Sequence, residues 1–222
     1  MNIEMFERLP QEKQDKIFHA ALSEFAAYGF DAASTNRIVK QAGIPKGSLF
    51  QYFGDKESLF FYVCGKIERD MEEQQIDTRR NLPSDFVEAI LYLFERELNY
   101  MKSQPKYLQF IHITVSQPLH PVYQKLAEQH KDEEPTVEIK KFISGISREQ
   151  LRDDIHFEDI LHAITFILDS ATQRIEKLII ASEGNLDRIE EELNVVFQEL
   201  RKCLNLFRYG IYKASSNGAV GS

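Results

Sequence analysis

Apolar residues recur at helical spacing along most of this chain, and this periodicity constrains the fold more than any other feature. Ile17, Ala21 and Phe25, for example, fall four residues apart and form one stripe of a helix. No run of alternating apolar and polar residues is flanked by hairpin turn signals, so strands are not expected. The sequence therefore predicts an all-α protein.

Glycine and proline residues divide this helical pattern into separate segments. Pro10 suits the first turn of a helix, and Gly29 predicts the end of that helix. A short second helix begins at Ser34 or Thr35, either of which is a good N-cap, and it ends at Gly43.

The later segments follow the same rules. A third short segment covers Lys46–Phe53, and Asp55 then caps a long helix that runs toward Gln75. Pro135 predicts a break or a kink in the stretch from residue 122 to residue 146. The other predicted helices begin near residues 85, 105 and 121 and cover residues 157–182 and 186–209, the last with Asn185 as its N-cap.

Composition restricts the class of protein. With 43% apolar residues in 222, the chain has enough apolar content for a packed core and is not intrinsically disordered. Its two cysteines, Cys64 and Cys203, do not make a disulfide scaffold, which suits a reducing compartment. No apolar run approaches the roughly 18–20 residues of a membrane span, and the N-terminus lacks a signal peptide. We expect a cytoplasmic globular protein.

Charge is distributed unevenly along the chain. The net charge of −8 argues against a protein that coats nucleic acid indiscriminately. Residues 1–66 hold eight basic and eight acidic side chains, so the whole net charge lies after residue 66. Between residues 34 and 56, four basic side chains face one acidic side chain, Asp55. One short N-terminal segment is therefore locally positive, although chance clustering would also explain this.

The second and third segments together match a helix-turn-helix. Such a unit needs two short helices, a glycine in the turn, and apolar residues that hold the helices together. Ile38 and Ala42 provide one side of this contact, Gly43 provides the turn, and Leu49 and Phe53 provide the other side.

The polar residues of this unit suit DNA. Lys46 supplies charge, Gly47 permits close backbone approach, and the amide of Gln51 can pair with an adenine edge. Ser48 and Tyr52 can donate to phosphates, and helix N-termini near Thr35 and Lys56 direct backbone N–H groups at phosphate oxygens. We predict that the third segment presents the following residues outward: Lys46, Gly47, Ser48, Phe50, Gln51 and Tyr52.

The residue string from 34 to 59 resembles the DNA-binding signature of the TetR family of bacterial transcriptional regulators. The resemblance extends from residue 10 to about residue 65 and includes the end of the first helix at residues 28–30. Two positions depart from the pattern: Phe50 stands where tyrosine is usual, and Val39 where alanine is usual. The matching elements are Thr35, Ala42-Gly43, Lys46-Gly47-Ser48-Leu49, Tyr52-Phe53 and Lys56-Glu57 before Leu59.

The resemblance implies a homodimer that binds double-stranded operator DNA and responds to a small-molecule ligand. It implies a DNA-binding domain over residues 1–54 and a ligand-binding and dimerisation domain over residues 55–213. Residues 215–222 hold no packing residue apart from Val220, so we expect residues 214–222 to be a tail that is disordered or a remnant of cloning. We expect a repressor, and activation is the alternative. The implied DNA-binding residues are Ser34, Thr35, Asn36, Arg37, Lys46, Gly47, Ser48, Phe50, Gln51, Tyr52 and Lys56.

Two further sets of residues are predicted in the C-terminal part. Aromatic and polar residues of the middle helices would line a pocket for an apolar or aromatic ligand, although most aromatic residues at helical spacing belong to a core: Tyr100, Tyr107, Phe110, His112, Tyr123, Phe142, Phe166 and Gln173. The last two long helices would pair two subunits through Ile164, Leu168, Ile175, Leu178, Leu193, Val196, Phe197, Leu200 and Leu204.

Other functions have weaker support in the sequence. Glu158 and His162 stand at metal-ligand spacing, but a solvated helix face explains the pair equally, and Cys64 is more simply a core residue than a redox sensor. No catalytic triad, phosphate loop or Cys-x-x-Cys pair is evident, so no enzyme activity, cofactor or metal is expected. The alternative to a regulator is a helical ligand-binding or enzymatic protein whose N-terminal bundle is only structural.

Overall fold

The computed structural model describes residues 3–79, 82–129 and 152–211, and these ranges are helical with no strand. The all-α prediction is therefore confirmed for the described part of the chain. The helices are α1 (Ile3–Glu7), α2 (Gln11–Ala32), α3 (Thr35–Ala42), α4 (Lys46–Phe53), α5 (Lys56–Arg79), α6 (Phe86–Ser103), α7 (Pro105–Ser116), α8 (Pro121–Gln129), α9 (Phe157–Ala181) and α10 (Leu186–Ile211).

Local signals in the sequence set most of these boundaries. Asp55 accepts a hydrogen bond from the backbone N–H of Ser58 at 2.7 Å, and Asp85 accepts one from Glu88 at 2.9 Å. Both carboxylates therefore cap the helices that follow them. The backbone of α2 is interrupted at Gly29, where φ is 67° and ψ is −178°, so the glycine kinks the helix near the predicted end.

The short helix α1 is absent from the sequence analysis. Five residues are too few for helical periodicity to show, and Phe6 is the one residue of α1 that is buried. Its ring contacts the rings of Phe53 and Tyr62, with centroids 4.9 and 5.0 Å away. This contact attaches α1 to α4 and α5.

Two hydrophobic cores hold the chain together, and α7 contributes to both. The first core contains buried residues from all five N-terminal helices, α1 through α5. Tyr107 and Phe110 of α7 and Val122 and Tyr123 of α8 complete it. The second core joins α6, α9 and α10, with Leu108 on the other side of α7. Because one helix serves both cores, the N-terminal bundle and the C-terminal helices are packed directly against each other.

The predicted dimer-interface residues pack in the second core of the single chain, not on its outer surface. Six of the nine are buried within the single chain: Ile164, Leu193, Val196, Phe197, Leu200 and Leu204. The other three, Leu168, Ile175 and Leu178, are partly buried and pack against the same second core. Side chains that are already covered within one subunit have almost no surface to bury against a partner, so this stripe is the inner face of α9 and α10.

Several predictions lie outside the described residues. These are the pocket residue Phe142, the break at Pro135 and the tail over residues 214–222. Within the described ranges, no helix combines the length and the apolar character that a membrane crossing needs.

Candidate nucleic-acid interface

The turn between α3 and α4 brings the two short helices together. Gly43 ends α3 in the left-handed conformation with φ of 68°, and both its own N–H and that of Ile44 donate to the carbonyl of Val39. Beyond the turn, Leu49 and Phe53 are buried against Ile38 and the rest of the first core. The sequence thus folds locally into a helix-turn-helix whose inner face is fixed by packing.

The outer face of α4 is open to solvent. Lys46, Gly47, Phe50 and Gln51 are exposed, and Ser48 is half-buried. A methyl group added at Gly47 would meet no atom within 4 Å, so nothing in the chain covers the backbone there. The ammonium of Lys46 lies 5.9 Å from the centroid of the Phe50 ring. We call Lys46, Gly47, Phe50 and Gln51 the recognition surface.

Tyr52 does not belong to this surface, and the prediction that it points outward is wrong. Its side chain is only 7% exposed. The ring meets Phe6 edge-on at 5.9 Å between centroids. Tyr52 lies three residues after the buried Leu49, on the inner side of α4, and α1 covers it. Because α1 is too short to show helical periodicity, its contact with Tyr52 could not be predicted from the sequence.

The N-terminus of α3 is held by a carboxylate from α2. Glu24 is 5% exposed and accepts the backbone N–H of Ser34 at 2.7 Å. The Ser34 side chain makes no capping bond, although Ser34 is the N-cap residue. Thr35 is half-buried, and Asn36 is exposed beside it.

Arg37 joins the same cluster rather than standing free on the surface. Its Nε donates to Glu24 Oε1 at 2.8 Å, and its terminal nitrogen donates to the carbonyl of Ala32 at 2.9 Å. The guanidinium also lies 4.3 Å from the centroid of the Tyr28 ring. The hydrogen bond to Glu24 raises the pKa of Arg37 further above its usual range. Arg37 therefore ties α3 to α2, and Glu24 is a site residue that the sequence analysis missed.

Lys56 has a comparable role on the other side of the α2–α3 turn. Its ammonium donates to the carbonyls of Asp31 at 3.1 Å and Ala33 at 3.3 Å. It also lies 4.6 Å from the centroid of the Phe30 ring. The predicted cation is present at the N-terminus of α5, but it is engaged with the end of α2.

The predicted pocket residues separate into three groups. Tyr107, Phe110 and Tyr123 are buried in the first core, at the junction between α7, α8 and the N-terminal bundle. Tyr100 and His112 are half-buried, and Tyr100 packs against the first core. Phe166 is 76% exposed and Gln173 is exposed as well, so the prediction that these two line a pocket is wrong.

An unpredicted carboxylate is partly buried on α6. Glu97 of α6 is partly covered, and burial raises its pKa above the usual range. Leu93 and Phe94 precede it on α6, and Met101 follows one turn later; all three pack against the second core. An acidic residue in such an apolar stretch is the signal that would have identified it.

Exposed apolar side chains form a second surface on the last two helices. Phe166 and Ile180 lie 14 residues apart on α9, and Val195, Leu206 and Tyr209 share one side of α10 at helical spacing. Leu206 is 75% exposed and Tyr209 is 85% exposed. We call these five residues the outer apolar face. It is opposite to the predicted interface stripe of α10.

The weaker candidates have ordinary surroundings. Burial raises the pKa of the Cys64 thiol, which sits in the first core, so this thiol stays protonated and packs as an apolar group. Glu158 and His162 are both exposed. Among the described residues, no group of three or more His, Cys, Asp or Glu side chains is arranged to hold a metal ion.

Comparison with known proteins places this N-terminal unit in context. Residues 17–63 match the sequence model of a family described as "Bacterial regulatory proteins, tetR family". The uncharacterized HTH-type transcriptional regulator YxaF of Bacillus subtilis is 39% identical over 36% of this chain and 41% of its own length. The HTH-type transcriptional repressor SCO4008 of Streptomyces coelicolor is 30% identical over 48% of this chain and 52% of its own length. The chain thus spans about half, or less, of these two relatives.

Other similarities extend over most of the chain. The HTH-type transcriptional repressor AcnR of Corynebacterium glutamicum is 23% identical over 87% of this chain and 95% of its own length. A crystal structure of a TetR transcriptional regulator from Chloroflexus aurantiacus has a TM-score of 0.63 at 15% identity and covers 92% of this chain and 98% of its own. At this level of identity, the structural likeness concerns the fold.

Proposed function

Because the chain belongs to the TetR family of bacterial regulatory proteins through its N-terminal unit, we propose that it is a homodimeric transcriptional repressor. One α4 helix from each subunit enters the major groove of an operator half-site, and a small-molecule ligand releases the protein from DNA. Relatives named as repressors, AcnR and SCO4008, support repression over activation. A DNA-binding regulator works in the cytoplasm.

The observation that carries this proposal is the contrast between the two sides of α4. Leu49, Tyr52 and Phe53 fix the inner side in the core, while the recognition surface stays uncovered on a helix of eight residues. A major groove admits one helix, and its base edges pair with amide and cationic side chains. Gln51 is the exposed amide on this surface and Lys46 is the exposed cation.

The outer apolar face supports the dimer. Single exposed apolar residues are common on protein surfaces, but five large ones on the outer sides of two adjacent helices indicate a contact with another protein. A two-fold pairing of α9 and α10 would bury this face against itself. The two recognition surfaces would then have to lie about 34–36 Å apart to reach successive major grooves.

The ligand is the least specified partner. Tyr100 and His112 remain from the predicted pocket, and Glu97 adds a carboxylate in a partly apolar setting. This set suits an apolar or aromatic molecule that carries a hydrogen-bond donor. A ligand that binds the DNA-free state about 100-fold more tightly would weaken operator binding by about 2.7 kcal/mol.

Selection of DNA by the full-length protein tests the proposal. The wild-type chain is incubated with a random-sequence duplex library, and the enriched duplex is then used in gel-shift titrations at several salt concentrations. Gln51→Ala should lose about 1–3 kcal/mol of discrimination at one base pair, and Lys46→Ala should weaken all sequences and lower the salt slope. Arg188→Ala is the control, because it removes an exposed cation at the start of α10.

Two results would contradict the proposal. If the wild type enriches no duplex, the alternative of a helical protein with a purely structural N-terminal bundle is favoured. If Arg188→Ala weakens binding as much as Lys46→Ala, charge in general rather than the recognition surface is responsible.

A further inference from the structure

The chain between Gly29, which interrupts α2, and Thr35, where α3 begins, sets the direction in which α3 leaves α2. We call residues 30–34 the link. Gly29 has φ of 67° and ψ of −178°, a combination that is open essentially to glycine alone. It interrupts the helix and leaves Phe30 at the beginning of the link to α3. The position of α3, and therefore of α4, depends on how this link is held.

A tyrosine from the C-terminal part holds it. The backbone N–H of Phe30 donates to the hydroxyl oxygen of Tyr123, on α8, at 2.8 Å. A methyl group at Gly29 would lie 3.3 Å from the same oxygen. The absence of a side chain at Gly29 thus permits both the kink and the close approach of Tyr123. Tyr123 is 5% exposed, and burial raises the pKa of its hydroxyl, which keeps its proton.

His120 strengthens the same contact one turn earlier on the chain. Its ring lies 5.8 Å from that of Phe30 and 4.6 Å from that of Tyr123, between centroids. Its Nε2 lies 3.2 Å from a carboxylate oxygen of Asp31. Lys56, at the start of α5, also donates to the carbonyl of Asp31 and lies over the Phe30 ring. The link is therefore held between α8 and the start of α5.

We propose that Tyr123 is a positioning residue for DNA recognition. Through the Phe30 N–H it sets the entry of α3, which packs on α4, so a displacement of α8 moves the recognition surface. This inference rests on the proposed function and adds the contact by which the C-terminal part acts on the DNA-binding helices. Arg37 and Glu24 connect the link to α3. Arg37, on α3, donates to the carbonyl of Ala32 and to Glu24, and Glu24 accepts the backbone N–H of Ser34.

Tyr123→Phe is the test, and Tyr107→Phe is the matched control. Both tyrosines are buried at the same junction, but the Tyr107 hydroxyl donates to Asp70 of α5 at 2.6 Å, away from the α2–α3 link. Hydrogen exchange of the full-length protein and gel-shift titration on the duplex selected by the wild type are measured for each. Tyr123→Phe should speed exchange at the Phe30 amide and weaken duplex binding about five-fold, the effect of one lost hydrogen bond. Tyr107→Phe should change neither.

The outcomes separate positioning from simple stability. Thermal melting is recorded for both variants, and equal melting temperatures with unequal duplex affinities support the proposal. Unchanged duplex affinity in Tyr123→Phe, despite faster exchange at Phe30, would overturn it. Equal weakening by both variants would overturn it as well. If the wild type selects no duplex, the proposed function fails, and the positioning role then stands only if Tyr123→Phe alone lowers amide protection in α3 and α4.

Discussion

Replacement of Leu206 by alanine is the sharpest test of which side of α10 pairs two subunits. Leu206 is 75% exposed in the single chain and lies on the outer apolar face beside Tyr209. Leu204, two residues earlier, is fully buried in the second core. The two leucines therefore distinguish the outer face from the inner stripe with the same chemical change.

The expected magnitude follows from the exposed fraction. Full burial of a leucine side chain contributes about 1.5–3 kcal/mol, and three quarters of it, about 1–2 kcal/mol, is available at Leu206. A two-fold interface contains every residue twice, so the dimer loses about 2–4 kcal/mol. This loss raises the dissociation constant of the dimer roughly 30- to 1,000-fold.

Sedimentation equilibrium over a dilution series measures this constant directly. Leu119→Ala serves as the surface control, because Leu119 is 83% exposed but lies before α8, away from the outer apolar face. Leu204→Ala should instead lower the melting temperature, by loss of about 2–5 kcal/mol of folding free energy. An unchanged dissociation constant in Leu206→Ala, or an equal change in Leu119→Ala, would refute the assignment of the interface to this face.

Three further substitutions, with Gly47→Ala as a control, test the N-terminal unit by chemical denaturation. Gly29→Ala should cost about 1–3 kcal/mol, because alanine rarely adopts this backbone conformation, whereas Gly47→Ala, in open helix, should not destabilise. Asp55→Ala should lower the free energy of unfolding by about 0.5–2 kcal/mol at neutral pH, because the α5 cap is lost. Hydrogen bonding to Ser58 lowers the pKa of Asp55, so the stability difference from wild type should shrink as the pH falls below about 4. A stability difference that persists in acid would contradict the capping role. Arg37→Ala should destabilise the chain, because it leaves the buried Glu24 without its guanidinium partner. An unchanged denaturation midpoint would mean that Arg37 is free for DNA.

The boundaries of the helix-turn-helix could be predicted because their causes are local. Gly43 and Gly54 end α3 and α4 with positive φ, and Asp55 caps α5 with its own side chain. Each of these signals acts within four residues of the boundary that it sets. The predicted segment Lys46–Phe53 accordingly agrees with α4 at both ends.

The direction of a helix face could not be predicted in the same way. Both α9 and α10 carry apolar residues on two sides, and periodicity alone does not say which side meets the subunit's own core. The richer stripe of α10, with Leu193, Val196 and Leu200, is the inner one, and the sparser one is outside. A core demands more apolar residues than an interface between folded subunits, so the richer stripe should have been assigned to the interior.

Contacts over long sequence separations change the meaning of the positive charge in residues 34–56. Arg37 donates to the carboxylate of Glu24, 13 positions earlier in the sequence. Lys56 donates to backbone carbonyls at the end of α2, more than 20 positions earlier. Neither partner can be identified from charge counts, because each contact depends on how α2 folds back on α3 and α5. Three of the four cations in this segment, Arg37, Lys40 and Lys46, are exposed. Arg37 is paired with Glu24, whereas Lys40 and Lys46 make no ion pair within the described part of the chain. We therefore expect Arg37 and Lys56 to support the proposed DNA binding mainly by fixing the helices, and we expect the salt dependence of binding to reflect Lys40 and Lys46 more strongly.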